Sequence, residues 1–178
     1  MPYEGDLLRY CPRDIDFSLT QAVVVSGATW NPCGHMLLCA GSSSDTAWYT
    51  HVAGIAGDDG GVHVAGVYGY PAFMREAGYQ RYLRENGKKE LRRMDAAIKD
   101  PAAAYRTLMQ LMSNKWVWKV LPDNCAAFAR EIVAAGGGDL TVMLNCPDQE
   151  FVKKVKREIG DAFKRAGEFQ RMNRGPKW

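Results

Sequence analysis

The sequence has few histidines, no paired cysteines and no long apolar run, and each lack excludes something. Its three histidines stand at 35, 51 and 63, so any imidazole base must come from these. Its five cysteines, at 11, 33, 39, 125 and 146, are odd in number and unpaired in spacing. That argues against a disulfide framework and for a reducing compartment. The one close group, Cys33, His35 and Cys39, lacks the second cysteine pair that a zinc site prefers. No metal and no cofactor are therefore expected. No apolar stretch approaches the roughly 18 residues of a membrane span. Met1-Pro2-Tyr3-Glu4-Gly5-Asp6 has neither a basic n-region nor an apolar h-region. The expectation is a cytoplasmic chain, or one exported without a cleavable leader. The glycine cluster at Gly57–Gly61 lacks the lysine and following helix of a phosphate loop.

What is there reads as one domain over 1–178. The chain is long enough to bury a substantial core, and its 47% hydrophobic and 24% charged residues are those of an ordinary globule. The net charge of +3 is unevenly spread. From Phe151 to Trp178 there are nine Lys/Arg against three Asp/Glu, so the basic excess belongs to the tail.

Residues 1–20 read as a loose lead-in. Strands are expected over 21–28, around Val23-Val24-Val25, over 35–40 and over 47–53. A fourth, over 62–68, should follow a Gly57–Gly61 hairpin connection, making an antiparallel meander. Helical spacing begins at Pro71, with Phe73, Met74, Tyr79, Tyr82 and Leu83 on one side and Gly87 as the stop. A short returning strand is expected over 91–99. Asp100-Pro101 then caps a helix with Tyr105, Leu108, Met109 and Met112 on its buried stripe. A final basic helix spans about 148–170, with Phe151, Val155, Ile159 and Phe163 at intervals of four. Its stripe is read as packing, with the lysines solvated. No nucleic-acid partner is expected, whereas an anionic surface could meet this helix. The fold class is α+β: a meander sheet packed against helices, with a core of about 20–140.

Chemistry concentrates at Leu121-Pro122-Asp123-Asn124-Cys125. Asp123 or Asn124 can cap a helix along which Phe128, Ala129, Ile132 and Val133 follow Cys125 at three- and four-residue spacing, until Gly136, Gly137 and Gly138 end it. A lone cysteine on an apolar stripe is ordinarily core. In a first turn, however, the helix dipole favours thiolate over thiol. A cysteine nucleophile also needs a base and a group to orient that base. His35 opens a strand after a Pro-Cys-Gly turn, and His51 lies on the next strand. His63 and Asp45 compete with His51 for the orienting role.

The segments Gly34-His35-Met36-Leu37-Leu38-Cys39-Ala40-Gly41 and Trp118–Gly137, with Asn124-Cys125 and Phe128, resemble the circularly permuted, NlpC-type branch of the papain-like cysteine hydrolases. In that branch the histidine strand precedes the cysteine helix. The resemblance covers roughly residues 20–138. A related branch, the lecithin:retinol acyltransferase-like group, carries a second histidine on the next strand, where His51 stands. The resemblance implies a papain-like core in which Cys125 is the nucleophile, His35 the base and His51 the orienting group. The Cys125 N–H would hold the oxyanion, with Tyr49 or Tyr70 as candidate helpers. It also implies amide hydrolysis, as in bacterial peptidoglycan amidases and endopeptidases, including toxins delivered into competing cells and plugged by cognate inhibitor (immunity) proteins. The alternatives are a thiol acyltransferase or lipase acting on lipid esters, and a non-enzymatic binding module. Ala126 and the Ser-rich loop after Gly41 set the chain apart from the acyltransferase box.

Overall fold

The computed structural model describes residues 2–7, 14–27, 34–41, 43–52, 67–69, 71–113, 116–118, 125–140 and 153–161. It divides into two compact units, Met1–Asp148 and Gln149–Trp178.

The first unit is built on a six-stranded sheet. Three central strands, β2 (Thr20–Val25), β3 (His35–Ala40) and β4 (Trp48–His51), form the expected antiparallel meander. Two short strands, β1 (Asp6–Leu7) and β6 (Ala72–Met74), and the longer β7 (Glu90–Asp95) complete the order β1-β6-β4-β3-β2-β7. Each residue of β3 is buried. Its unbroken apolar run follows from coverage on both faces, which removes the need for a polar side.

Even-numbered residues of β3 and odd-numbered ones go to opposite layers. Met36, Leu38 and Ala40 pack with α2 (Pro101–Ser113) and α3 (Cys125–Ala135) through Ala104, Leu108, Phe128 and Ile132. Leu37 and Cys39 pack with Tyr49 and with Tyr79 and Tyr82 of α1 (Glu76–Glu85). The result is a helix–sheet–helix arrangement whose two apolar layers share one sheet. At the outer edge, β7 carries Glu90, Arg92, Arg93 and Asp95, charges that blunt a free strand against further pairing.

The helix boundaries follow local chemistry. Asp100 Oδ1 accepts the Ala103 N–H at 2.9 Å, capping α2 ahead of Pro101. At the end of α3, Gly137 takes φ +70°. Its N–H goes to the Ala134 carbonyl and that of Gly138 to the Val133 carbonyl, which is the Schellman closure. The Gly136 carbonyl accepts from Lys99 and Asp100, tying the end of α3 to the start of α2.

Several expectations are corrected. Phe73 and Met74 do not begin a helix: they lie in β6, which fills the place between β4 and β1, and α1 starts at Glu76. Of the expected fourth meander strand, residues 62–66 lie outside the described residues, and its end, β5 (Val67–Gly69), pairs with β8 (Trp116–Trp118) in a separate two-stranded sheet. Both neighbours of β4 are already taken, by β3 and β6. The returning strand stops at Asp95, and the Ala96 N–H still reaches back to the Thr20 carbonyl. The lead-in is partly structured, since β1 pairs with β6 and Phe17 is buried. The Gly57–Gly61 connection lies outside the described residues.

In the second unit, residues 153–161 form a helix, α4, with Lys154 and Glu158 at 3.9 Å. Ile159 is exposed. Phe151 and Phe163 lie outside the described residues.

Candidate functional site

The centre of the site is a pair of imidazoles. His35 is the first residue of β3 and His51 the last of β4, so neighbouring antiparallel strands bring the two together at one end of the sheet. His35 Nε2 lies 2.8 Å from His51 Nδ1, with the rings edge-on at 77°. Gly34, at φ +79°, leads into His35 through a backbone conformation that a side chain would strain. The other nitrogen of His51, Nε2, lies 2.7 Å from the Glu4 carbonyl oxygen.

These contacts fix the protons. A carbonyl only accepts, so His51 Nε2 carries hydrogen and donates to Glu4. Both rings are pushed towards the neutral form. Burial drives His35 well below the ordinary imidazole range, with His51 and Lys88 adding to the effect. Burial takes His51 down to about 4, against the pull of the Glu4 carbonyl. A neutral His51 with hydrogen on Nε2 has a bare Nδ1, which must accept from His35 Nε2–H. His35 is then left with its lone pair on Nδ1. The relay sets up one nitrogen as a base.

Cys125 opens α3 and is 5% exposed. Burial pushes its thiol up to about 11, against the pull of the backbone N–H groups of Met36, Ala126 and Cys125 itself. This corrects the expectation of a resting thiolate: desolvation outweighs the helix terminus. Because Met36 follows His35, the sulfur is set against the start of the histidine strand. What else joins sulfur and imidazoles is shared surroundings. The Tyr82 ring stands 5.5 Å from His51 and 6.5 Å from His35, and Cys125 is among the groups raising its hydroxyl pKa. Lys88 acts electrostatically on His35, His51 and Cys125 alike.

The other candidates fare differently. Asp45 is exposed, and its backbone carbonyl accepts from Arg75 at 3.4 Å, whereas His51 lies against His35. His63, Tyr70, Cys33 and Asn124 lie outside the described residues. Tyr49 is engaged elsewhere: its hydroxyl donates to Glu76 at 2.6 Å and accepts from Arg93 at 2.8 Å. It is therefore not free to serve as an oxyanion donor. Cys39 is buried on the α1 side, 3.9 Å from Arg93 Nη1. Among the described residues no group of three or more His, Cys, Asp and Glu is placed to hold a metal ion, and no helix is long and apolar enough to cross a membrane.

Three contributors escape a reading of the sequence. Glu4 enters through its carbonyl, which has no sequence signature. Tyr82 sits on the apolar stripe of α1 and looks like core. Lys88 looks like a surface lysine after a helix stop. The chain matches no family model, no curated protein and no solved structure.

Proposed function

We propose that this protein is a cysteine hydrolase with a papain-like core, in which Cys125 attacks a carbonyl with His35 as base and His51 as the orienting group. The observation that carries the reading is the relay from the Glu4 carbonyl through His51 to His35. It leaves a basic nitrogen on His35, the residue next to the one whose backbone faces the Cys125 sulfur.

The chemistry follows from the protonation states. The resting site holds a neutral thiol and a neutral imidazole, so His35 Nδ1 takes the thiol proton as the sulfur bonds to the substrate carbonyl carbon. The tetrahedral oxyanion is stabilised by the Cys125 N–H at the start of α3. When the intermediate collapses, His35 gives that proton to the departing amine, and a thioester remains on Cys125. A water, deprotonated by His35, then attacks the thioester. The carboxylic acid leaves and the proton returns to the sulfur. His51 keeps the imidazole tautomer and angle through the cycle, itself held by Glu4.

The favoured substrate is a peptidoglycan peptide amide, cleaved by a protein acting as a delivered antibacterial effector with a cognate inhibitor protein as partner. The basic C-terminal helix would contact anionic surfaces. Purified protein assayed on muropeptides and on phospholipid vesicles tests this directly. New amine and carboxyl ends on muropeptides are expected. Fatty acid release or acyl transfer from the vesicles, with muropeptides intact, would reject the amidase reading in favour of a lipid acyltransferase or lipase. Cys125→Ala and His35→Ala should each remove turnover without unfolding the chain. His51→Ala should lower kcat about 10²- to 10⁴-fold, the range of a lost general-base arrangement.

A further inference from the structure

Behind the imidazole pair lies a charged group that the proposed mechanism has not used. Lys88 follows the turn after α1, where its backbone N–H closes on the Leu83 carbonyl at 2.9 Å. Its ammonium donates to the Ser26 carbonyl at 3.3 Å and stands 5.9 Å from the centre of the Tyr82 ring, the ring that flanks both histidines. Ser26 directly follows Val25, the register partner of His35. The place of this lysine is fixed by the backbone as well, since Ser26 N–H bonds the Lys89 carbonyl and Ser26 Oγ accepts the Lys89 N–H. A half-buried lysine is thus anchored at the end of β2, level with the histidine that opens β3.

We infer that Lys88 is an electrostatic positioning residue of this site, a fixed positive charge anchored beside the imidazole pair that acts on the sulfur, with the Glu4 carboxylate opposing it. The inference rests on the catalytic reading of Cys125 and deepens it. The charged and titratable groups around the lysine come from each neighbouring element: Glu4 from the N-terminal segment, His35 from β3, His51 from β4, Tyr82 from α1 and Cys125 from α3. A nearby cation disfavours the imidazolium and favours negative charge on sulfur. Lys88 is therefore placed to keep the resting histidines neutral and to stabilise charge as it develops at Cys125. Glu4 works against it when ionised. Although Glu4 keeps part of its surface in solvent, the protein around its carboxyl pushes that group up to about 7, against the pull of Lys88.

The test reads the sulfur and not turnover: the rate of iodoacetamide labelling at Cys125, resolved by mass spectrometry, across pH in the folded full-length chain. Lys88→Met should move the labelling midpoint up by about half a pH unit to one and slow labelling at neutral pH about threefold to tenfold. Lys88→Arg should restore it. Glu4→Gln should do the reverse, speeding labelling above pH 7 and leaving it unchanged well below. Opposite signs are the mark of a charge effect, because loosening of the fold would move both variants the same way. The inference is overturned if Lys88→Met keeps the wild-type profile, or if Glu4→Gln shifts it in the same direction. Should Lys88→Met fail to fold, Glu4→Gln alone decides by its sign. The catalytic reading fails separately, if His35→Ala hydrolyses substrate as fast as the wild type.

Discussion

A carbonyl oxygen cannot donate, and from that restriction at Glu4 the tautomers of His51 and then His35 follow in turn. The pH dependence of the proposed reaction belongs at this scale. Burial holds both rings below the ordinary imidazole range, so the base remains unprotonated at pH values where a solvated histidine would have charged. The acid limb of kcat/KM should therefore fall below 6.5, the value of a free imidazole. A pH–rate profile whose acid midpoint lies at or above 6.5 would contradict the buried neutral pair. The Cys125 thiol, up at about 11, places thiolate formation far on the alkaline side. In the proposed mechanism the nucleophile is then made during attack and not held in advance, which gives the free nitrogen on His35 more weight than the helix dipole.

Elements deliver these residues with different degrees of legibility. The three meander strands were readable because Val23-Val24-Val25, Met36-Leu37-Leu38 and Trp48-Tyr49 are apolar runs bounded by turn residues. Cys125 at a helix start and the glycine closure of α3 were readable for the same local reasons. Ala72-Phe73-Met74 was not, because its spacing suits a helix face and only the vacancy beside β4 makes it a strand. Nor was the role of the N-terminal segment, which depends on Asn86 Nδ2 donating to the Tyr3 carbonyl and on β1 pairing with β6, both long-range contacts. Gly34 offers the cleanest test at this scale. Gly34→Ala should cost about 1 kcal/mol or more, because φ +79° suits glycine. Since the strain falls next to His35, kcat should drop by more than the loss in folded fraction explains. Urea unfolding beside steady-state kinetics checks both. Unchanged stability and rate would mean that the turn does not position the histidine.

For the first unit as a whole, burying two neutral histidines links stability to pH. Their folded pKa values lie below the unfolded one, so below about 6.5 the unfolded chain binds protons that the native chain does not. Stability is full above that pH and is lost as pH falls. Glu4 opposes this, because its raised carboxyl makes the native chain the better proton binder between the ordinary glutamate value and about 7. Two enclosed histidines against one partly exposed carboxyl leave a net rise of stability with pH over that window. The urea midpoint followed from pH 4.5 to 6.5 should rise, and should rise more steeply in Glu4→Gln. A flat or falling midpoint would mean that the histidines are charged in the native state.

The claim on which the mechanism depends is that the Cys125 sulfur and the His35 imidazole work on one proton. Cys39 provides an internal control: it is as enclosed as Cys125, at 4% exposure against 5%, but stands four residues along β3 from His35, beside Arg93. Under native conditions near neutral pH, iodoacetamide should label Cys125 before Cys39, and His35→Ala should slow Cys125 while leaving Cys39 unchanged. If both cysteines label together and only on unfolding, with His35→Ala indifferent, Cys125 is a core thiol and the proposed hydrolase is wrong.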